Sequence, residues 1–182
     1  MKVCVIQPEY SYDKNDLSDR FMSQIALLDK CTDDLDIIVL PEYTDVPVDT
    51  GSGEAFHSAI RENNKIIVEK ARETAKRCSA IVFVNAASES ELGYRNTTYA
   101  IDREGNIIGK YFKAHPAPSE VKRFEEGGNG LDVEYSYEFE KPYTLTLEGI
   151  KFAFMTCYDF YFYENFARVA RENVDIIIGC SH

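Results

Sequence analysis

The sequence predicts an α/β fold organised on a largely parallel sheet, in one domain spanning residues 1–182. Three observations carry this reading. Short apolar runs alternate with longer stretches of helical periodicity in the order strand, helix, strand, helix, strand, and that order favours parallel strands joined by right-handed crossovers. The runs at 3–6, 36–40, 80–87 and 175–179 lack the polar alternation of a half-exposed strand, the pattern of strands covered on both faces. Finally, Ile150–Asp159 (IKFAFMTCYD) reads as a strand that delivers Cys157 to its carboxyl edge just before a helical pattern. Carboxyl ends of strands are where open α/β sheets place their ligands.

Val3–Ile6 is the opening strand, apolar throughout and therefore expected to be buried on both faces. Leu17, Phe21, Ile25 and Leu28 step by four, four and three, the stripe of an amphipathic helix begun near Asn15 or Asp16. Asp36–Leu40 is the second strand. It runs into Pro41, which lacks an amide donor and stops the ladder, so Glu42 falls just past the strand's carboxyl end. After the loop Asp45–Glu54, Phe56, Ile60, Ile67, Ala71, Ala75 and Cys78 mark the inner face of a long helix, and Ala80–Ala87 is a third buried strand.

The pattern then changes. Tyr94–Ile101 and Asn106–Lys113 are strand-like and joined by Asp102–Gly105, a hairpin connection ending in glycine. Ala114–Gly130 is a long irregular loop, a kind that is usually functional in a compact domain. Tyr143–Leu147 pairs with Ile150–Thr156 around Glu148 and Gly149. Phe162, Phe166, Val169 and Asn173 keep helical spacing, and Asp175–Gly179 is a last strand, again nearly all apolar.

Composition narrows the function. The 182 residues suffice for one substantial core and are too few to expect two domains. A net charge of −11 argues against nucleic acid and against anionic membrane surfaces, both of which require a basic face. No run approaches the roughly 20 apolar residues needed to span a bilayer. The five cysteines are widely spaced, with neither a CxxC pair nor cysteine–histidine spacing of the zinc kind. An odd count without a secretory signal points to reduced thiols and a cytoplasmic setting. The Asn96-Thr97-Thr98 sequon then reads as chance.

Taken alone, Cys157 is a small buried hydrophobe or, near a helix start, a thiol biased toward thiolate. Glu42 alone is a loop carboxylate. Together with Lys113 at the end of the returning hairpin strand, they place three reactive groups at three strand ends. Chemically the set is complete: a carboxylate to take the thiol proton, a sulfur to attack an electrophilic carbon, and an ammonium to stabilise the oxyanion.

These residues sit in motifs that resemble the nitrilase, or carbon–nitrogen hydrolase, superfamily. VCVIQPEY is similar to that family's first strand, IIVLPEY to the general-base segment, NTTYAIDREGNIIGKYFKAH to the hairpin ending in the lysine, FMTCYDF to the nucleophile segment and ARENVDIII to the elements behind it. The resemblance implies an α-β-β-α sandwich, with Glu42 as general base, Lys113 as oxyanion stabiliser, Cys157 as nucleophile and Glu120 as a second glutamate. Glu125 and Glu126 compete for that last role. Tyr158 and Asp159 would orient the cysteine turn and offer backbone donors.

Phe112, Ala114-His115-Pro116 and the stretch after Cys157 depart from the family pattern at positions expected near the pocket. The family domain also continues beyond the equivalent of His182, so the second half is expected to be incomplete, with uncovered apolar sheet. The implied activity is hydrolysis of a small-molecule amide, carbamoyl or nitrile C–N bond through a thioester, with no cofactor or metal, in a homo-oligomer paired through 162–173. Two alternatives stay open: a non-catalytic domain that binds a partner, and a thiol protease pairing Cys157 with His115.

Overall fold

The computed structural model describes residues 1–51, 53–123, 126, 128–133 and 142–181. One sheet has five strands in the order β1-β2-β3-β4-β5, namely β1 (Val3–Val5), β2 (Ile37–Val39), β3 (Ile81–Ser90), β4 (Gly93–Ile101) and β5 (Ile107–Phe112). The first three are parallel and connected by α1 (Leu17–Asp29) and α2 (Gly53–Cys78); β3, β4 and β5 form an antiparallel meander. A second sheet holds β6 (Thr144–Leu147), β7 (Ile150–Thr156) and β8 (Ile176–Cys180), with β7 antiparallel to β6 and parallel to β8. The short helix α3 (Pro118–Val121) and the helix α4 (Tyr163–Arg171) complete the described elements.

Strand alternation sorts the side chains into layers. On β2, Ile38 joins Phe21, Leu28, Ile67, Ala71 and Ala75 of α1 and α2, whereas Ile37 and Val39 point the other way. There they meet Ile81, Phe83 and Tyr111 of their own sheet and Phe152, Phe154 and Ile178 of the second. Phe83 sits at the centre of this interface, its ring 5.2 Å from Phe152 and 5.6 Å from Phe154. Burial of each such side chain contributes about 1.5–3 kcal/mol. On the far side, Val169 of α4 packs on Ala153 and Met155 of β7. The layers are therefore helix, sheet, sheet, helix, the α-β-β-α sandwich expected from the sequence.

One expectation needs correction. β1 is not buried on both faces: Val3 and Val5 are 48% and 69% exposed, while Ile6 packs toward the helices. At β8, whose apolar outer face was expected to be uncovered, one face is buried. Ile178 and Cys180 enter the core, and Ile177 is 42% exposed. Each of these strands is the outermost of its sheet among the described residues. An apolar run records which surfaces the residues can bury, not which neighbours are present.

The hairpins fall where expected. Gly105 has φ +78, and a Cβ there would lie 2.8 Å from the Arg72 carbonyl, so only glycine closes that turn against α2. Glu148 and Gly149, at φ +52 and +81, make a two-residue turn with both residues left-handed, the conformation that matches strand twist. Because β4 reverses the chain and β5 reverses it again, β5 ends at the same edge as β2 and β3.

Candidate active site

That shared edge carries the candidate site. Glu42 follows β2 after Leu40 and Pro41, and Tyr43, at φ +48, turns the chain away from the sheet. Asn85 of β3 pins the turn, accepting from the Tyr43 and Thr44 amides at 2.9 Å each, through its side chain and its carbonyl respectively. Lys113 is the first residue past β5, its amide bonded to the Asn96 carbonyl at 3.0 Å. Glu120 comes from α3.

The three side chains meet out of solvent. Lys113 Nζ donates to Glu42 Oε1 at 2.8 Å and to Glu120 Oε2 at 2.7 Å, and the residues are 1%, 3% and 2% exposed. Asn96 Nδ2 donates to both carboxylates, at 2.9 Å to Glu42 Oε1 and 2.8 Å to Glu120 Oε1. Asn85 fixes that amide by donating to Asn96 Oδ1 at 2.8 Å. Glu120 also accepts from the Tyr43 hydroxyl and the Ala117 amide. Buried charges persist only when paired and hydrogen-bonded, and this cluster meets that condition. Burial pulls the Lys113 ammonium down, but the two carboxylates outweigh it and hold the group well above the usual lysine range, so it stays charged. Burial, then Glu120 and Glu42, raises the Tyr43 hydroxyl, which remains a donor.

Cys157 follows β7 directly and has φ +45, a region that a side chain with a Cβ enters only under constraint. Asp159 supplies the constraint. Its buried carboxylate accepts from the Thr156 amide at 2.8 Å, the Tyr111 hydroxyl at 2.7 Å and the His115 amide at 2.7 Å. The thiol is half-buried, with Glu42, Lys113 and Ser181 as its electrostatic neighbours. It is not biased toward thiolate, contrary to the expectation from its place before a helix. Burial first, then the Glu42 charge, push it up to about 11, against the opposing pull of Lys113. Nor does Cys157 stand at the start of a long helix: it opens a five-residue 3-10 turn, Cys157–Tyr161, and α4 begins only at Tyr163.

Glu42, Lys113, Glu120 and Cys157 line one cleft of about 500 Å³, whose other walls include Tyr10, Val46, Val48, Phe56, Asp49 and Asn129. All four residues singled out in the sequence therefore meet at one site. Of the competing glutamates, Glu126 is exposed and Glu125 lies outside the described residues. His115 stacks on Phe162 at 4.1 Å, and its Nδ1 lies 3.1 Å from Asp159 and 3.0 Å from Asn165 Nδ2. Phe112 carries the Arg95 guanidinium over its ring at 5.1 Å.

Asn96, Asn85 and Tyr43 were not anticipated. The sequon that reads as a chance glycosylation signal contains the asparagine that joins the two carboxylates, and that residue has no exposed surface. For Asn85, a polar residue inside the apolar run 81–87 was the available signal; Asn96, between Arg95 and Thr97, offered none of that kind.

Among solved structures, the chain is similar to a carbon-nitrogen hydrolase from Helicobacter pylori G27, with TM-score 0.68 and 17% identity over 98% of this chain and 59% of that one. It is also similar to the amidase of Nesterenkonia sp. AN1. One alanine mutant of that amidase gives TM-score 0.64 and 15% identity over 100% of this chain and 64% of that one. Another structure, an alanine mutant in complex with butyramide, gives 0.62 and 14% over 98% and 65%. At these identities the likeness speaks for the fold, and this chain spans less than two thirds of each of these proteins. No curated protein sequence matches it significantly. No helix among the described residues is long and apolar enough to cross a membrane. The family model for carbon-nitrogen hydrolases matches residues 2–182, nearly every residue from the first strand through the last, and the chain belongs to that family.

Proposed function

We propose that the chain is a cysteine-dependent hydrolase of a non-peptide C–N bond, acting on a small amide through a thioester. One observation carries the reading: the buried Glu42–Lys113–Glu120 cluster opens onto the same cleft as a thiol held at φ +45. Glu42 takes the Cys157 proton as sulfur attacks the carbonyl carbon, which removes the need for a free thiolate when the thiol stands near 11. The oxyanion faces the Lys113 ammonium and the backbone amide of Tyr158. The C–N bond breaks, the leaving nitrogen receives the proton from Glu42, and a water deprotonated by Glu42 then releases the acid. Glu120 keeps Lys113 charged and aimed. Val46, Val48 and Phe56 on the cleft wall favour a short aliphatic acyl chain. A nitrile carbon would be attacked by the same sulfur, and an acceptor amine in place of water would give acyl transfer.

The Cys157–His115 dyad has less support, because His115 Nδ1 is engaged with Asp159 and Asn165. The test is intact-mass detection of an acyl adduct on Cys157 with butyramide. Cys157→Ala should abolish it and lower turnover by on the order of 10³-fold or more. A Cys157→Ala chain that keeps its rate refutes the assignment. Persistent lack of adduct in a chain whose Cys157 still alkylates favours the non-catalytic binding domain.

A further inference from the structure

Glu42 and Tyr10 each line two adjoining spaces. One is the cleft described above. The other is a chamber of about 120 Å³, lined by Gln7, Tyr10, Gln24, Pro41, Glu42 and Ser181, among others. Glu42 lines both spaces, so the chamber meets the cleft that holds Cys157 at this carboxylate. Gln24 has no exposed surface. Its Nε2 donates to the Thr44 carbonyl at 2.9 Å, and its Oε1 has no partner among the described residues.

A buried amide oxygen left unbonded costs about 1–3 kcal/mol, so such atoms are normally paired with protein or with water. The chamber far exceeds the about 10–15 Å³ that one water requires, and it offers the polar partners a water needs. A carboxylate on the same wall can accept a second hydrogen bond from that water.

We infer that the chamber supplies the hydrolytic water and that Gln24 is a positioning residue for it, an inference that rests on the thioester reading above. A water between Gln24 Oε1 and Glu42 donates one hydrogen to each. When the thioester has formed and the leaving amine still occupies the cleft side, this water already stands next to the base. Glu42 takes its proton, its oxygen bonds to the acyl carbon, and the carbon–sulfur bond breaks. The thiolate then recovers the proton from Glu42, so the enzyme returns to its starting state with no other reagent. The arrangement separates the two substrates: the amide enters by the cleft and water by the chamber.

The test is Gln24→Met, which keeps the volume and removes the acceptor. With butyramide and hydroxylamine present together, acyl-enzyme partitions between acid and hydroxamate. Hydroxylamine can attack from the cleft, so the hydroxamate-to-acid ratio should rise about tenfold in the variant, the loss of one positioning hydrogen bond. The rate of adduct formation on Cys157 should stay within about twofold of the parent chain, as it precedes the water step. A role in packing alone would lower both products together and leave the ratio unchanged, and an unchanged ratio overturns the inference. A crystal structure of the parent chain gives a readout without turnover. An ordered water bound to Gln24 Oε1 and Glu42 supports the site even if the chain never acylates, in which case only the hydrolase reading fails. A chamber without that water overturns it.

Discussion

Replacing Glu42 by glutamine should separate two reactions of the same sulfur. With the thiol pushed up to about 11, the thiolate fraction at pH 7 is about one in 10⁴, against about 3% for an ordinary cysteine near 8.5. A more basic thiolate is also more nucleophilic, by about tenfold over this range, so labelling of Cys157 by iodoacetamide at pH 7 should run about thirtyfold slower than that of free cysteine. It should keep rising with pH beyond 9, where an ordinary thiol levels off. Glu42→Gln removes the carboxylate that, after burial, most opposes thiolate, and leaves the Lys113 ammonium that favours it. Labelling should therefore speed up, by on the order of tenfold. Amide hydrolysis should instead fall by on the order of 10²–10⁴, since the base is gone. The assay is stopped-time mass spectrometry for labelling and ammonia release for turnover, on the same preparations. Slowing of both reactions together would refute the reasoning and make Glu42 a packing partner of the sulfur rather than its base.

Other expectations follow from the same contacts. Lys113→Met should leave Cys157 alkylatable while acylation drops by about 10²–10³, the loss of an oxyanion donor; unchanged single-turnover acylation would remove that role. Asn96→Ala strips both carboxylates of a shared donor and should cost about 1–3 kcal/mol in urea unfolding, with turnover falling as well. Asp45 is fully buried, and burial pushes its carboxyl up to about 6 against the pull of Asn64 and the Ala87 amide. Its contribution to stability is full below the unfolded value near 3.9 and is lost as pH rises through 6, on the order of 3 kcal/mol. Asp45→Asn should flatten that slope in urea titrations between pH 4 and 7. We also propose self-association through α4, whose Tyr163 and Phe166 are exposed beside Phe160 and Tyr161; Phe166→Glu should lower the sedimentation coefficient if the parent chain is a dimer.

Much of the layout was legible because the site lies where secondary structure ends. Pro41 stops β2, glycine closes the hairpin that returns to Lys113, and Cys157 ends an apolar run, so local rules placed all three at strand ends. What local rules miss is what comes across space. The thiol's neighbourhood in sequence is a helical pattern, but in space it is buried and stands by the Glu42 carboxylate, and burial first, then that charge, push it up. Asn96 looked idle because its partners lie 54 and 24 positions away. Val5 looked buried because its own hydrophobicity was visible and its place at the sheet edge was not.

The turns Asp102–Gly105 and Glu148–Gly149 lie at the opposite pole, each eight residues, or about 25 Å of strand, before Lys113 and Cys157. Arg103 ties the two turns together, reaching Glu148 Oε1 at 2.7 Å and Oε2 at 3.0 Å. Register is thus set at one end of the sandwich and the candidate site lies at the other. That spacing gives the fold latitude for change. Loops around the cleft can lengthen, shorten or exchange residues across generations without shifting strand pairing, and a fluorophore or affinity tag placed on the distant turns can report on the molecule without touching its chemistry.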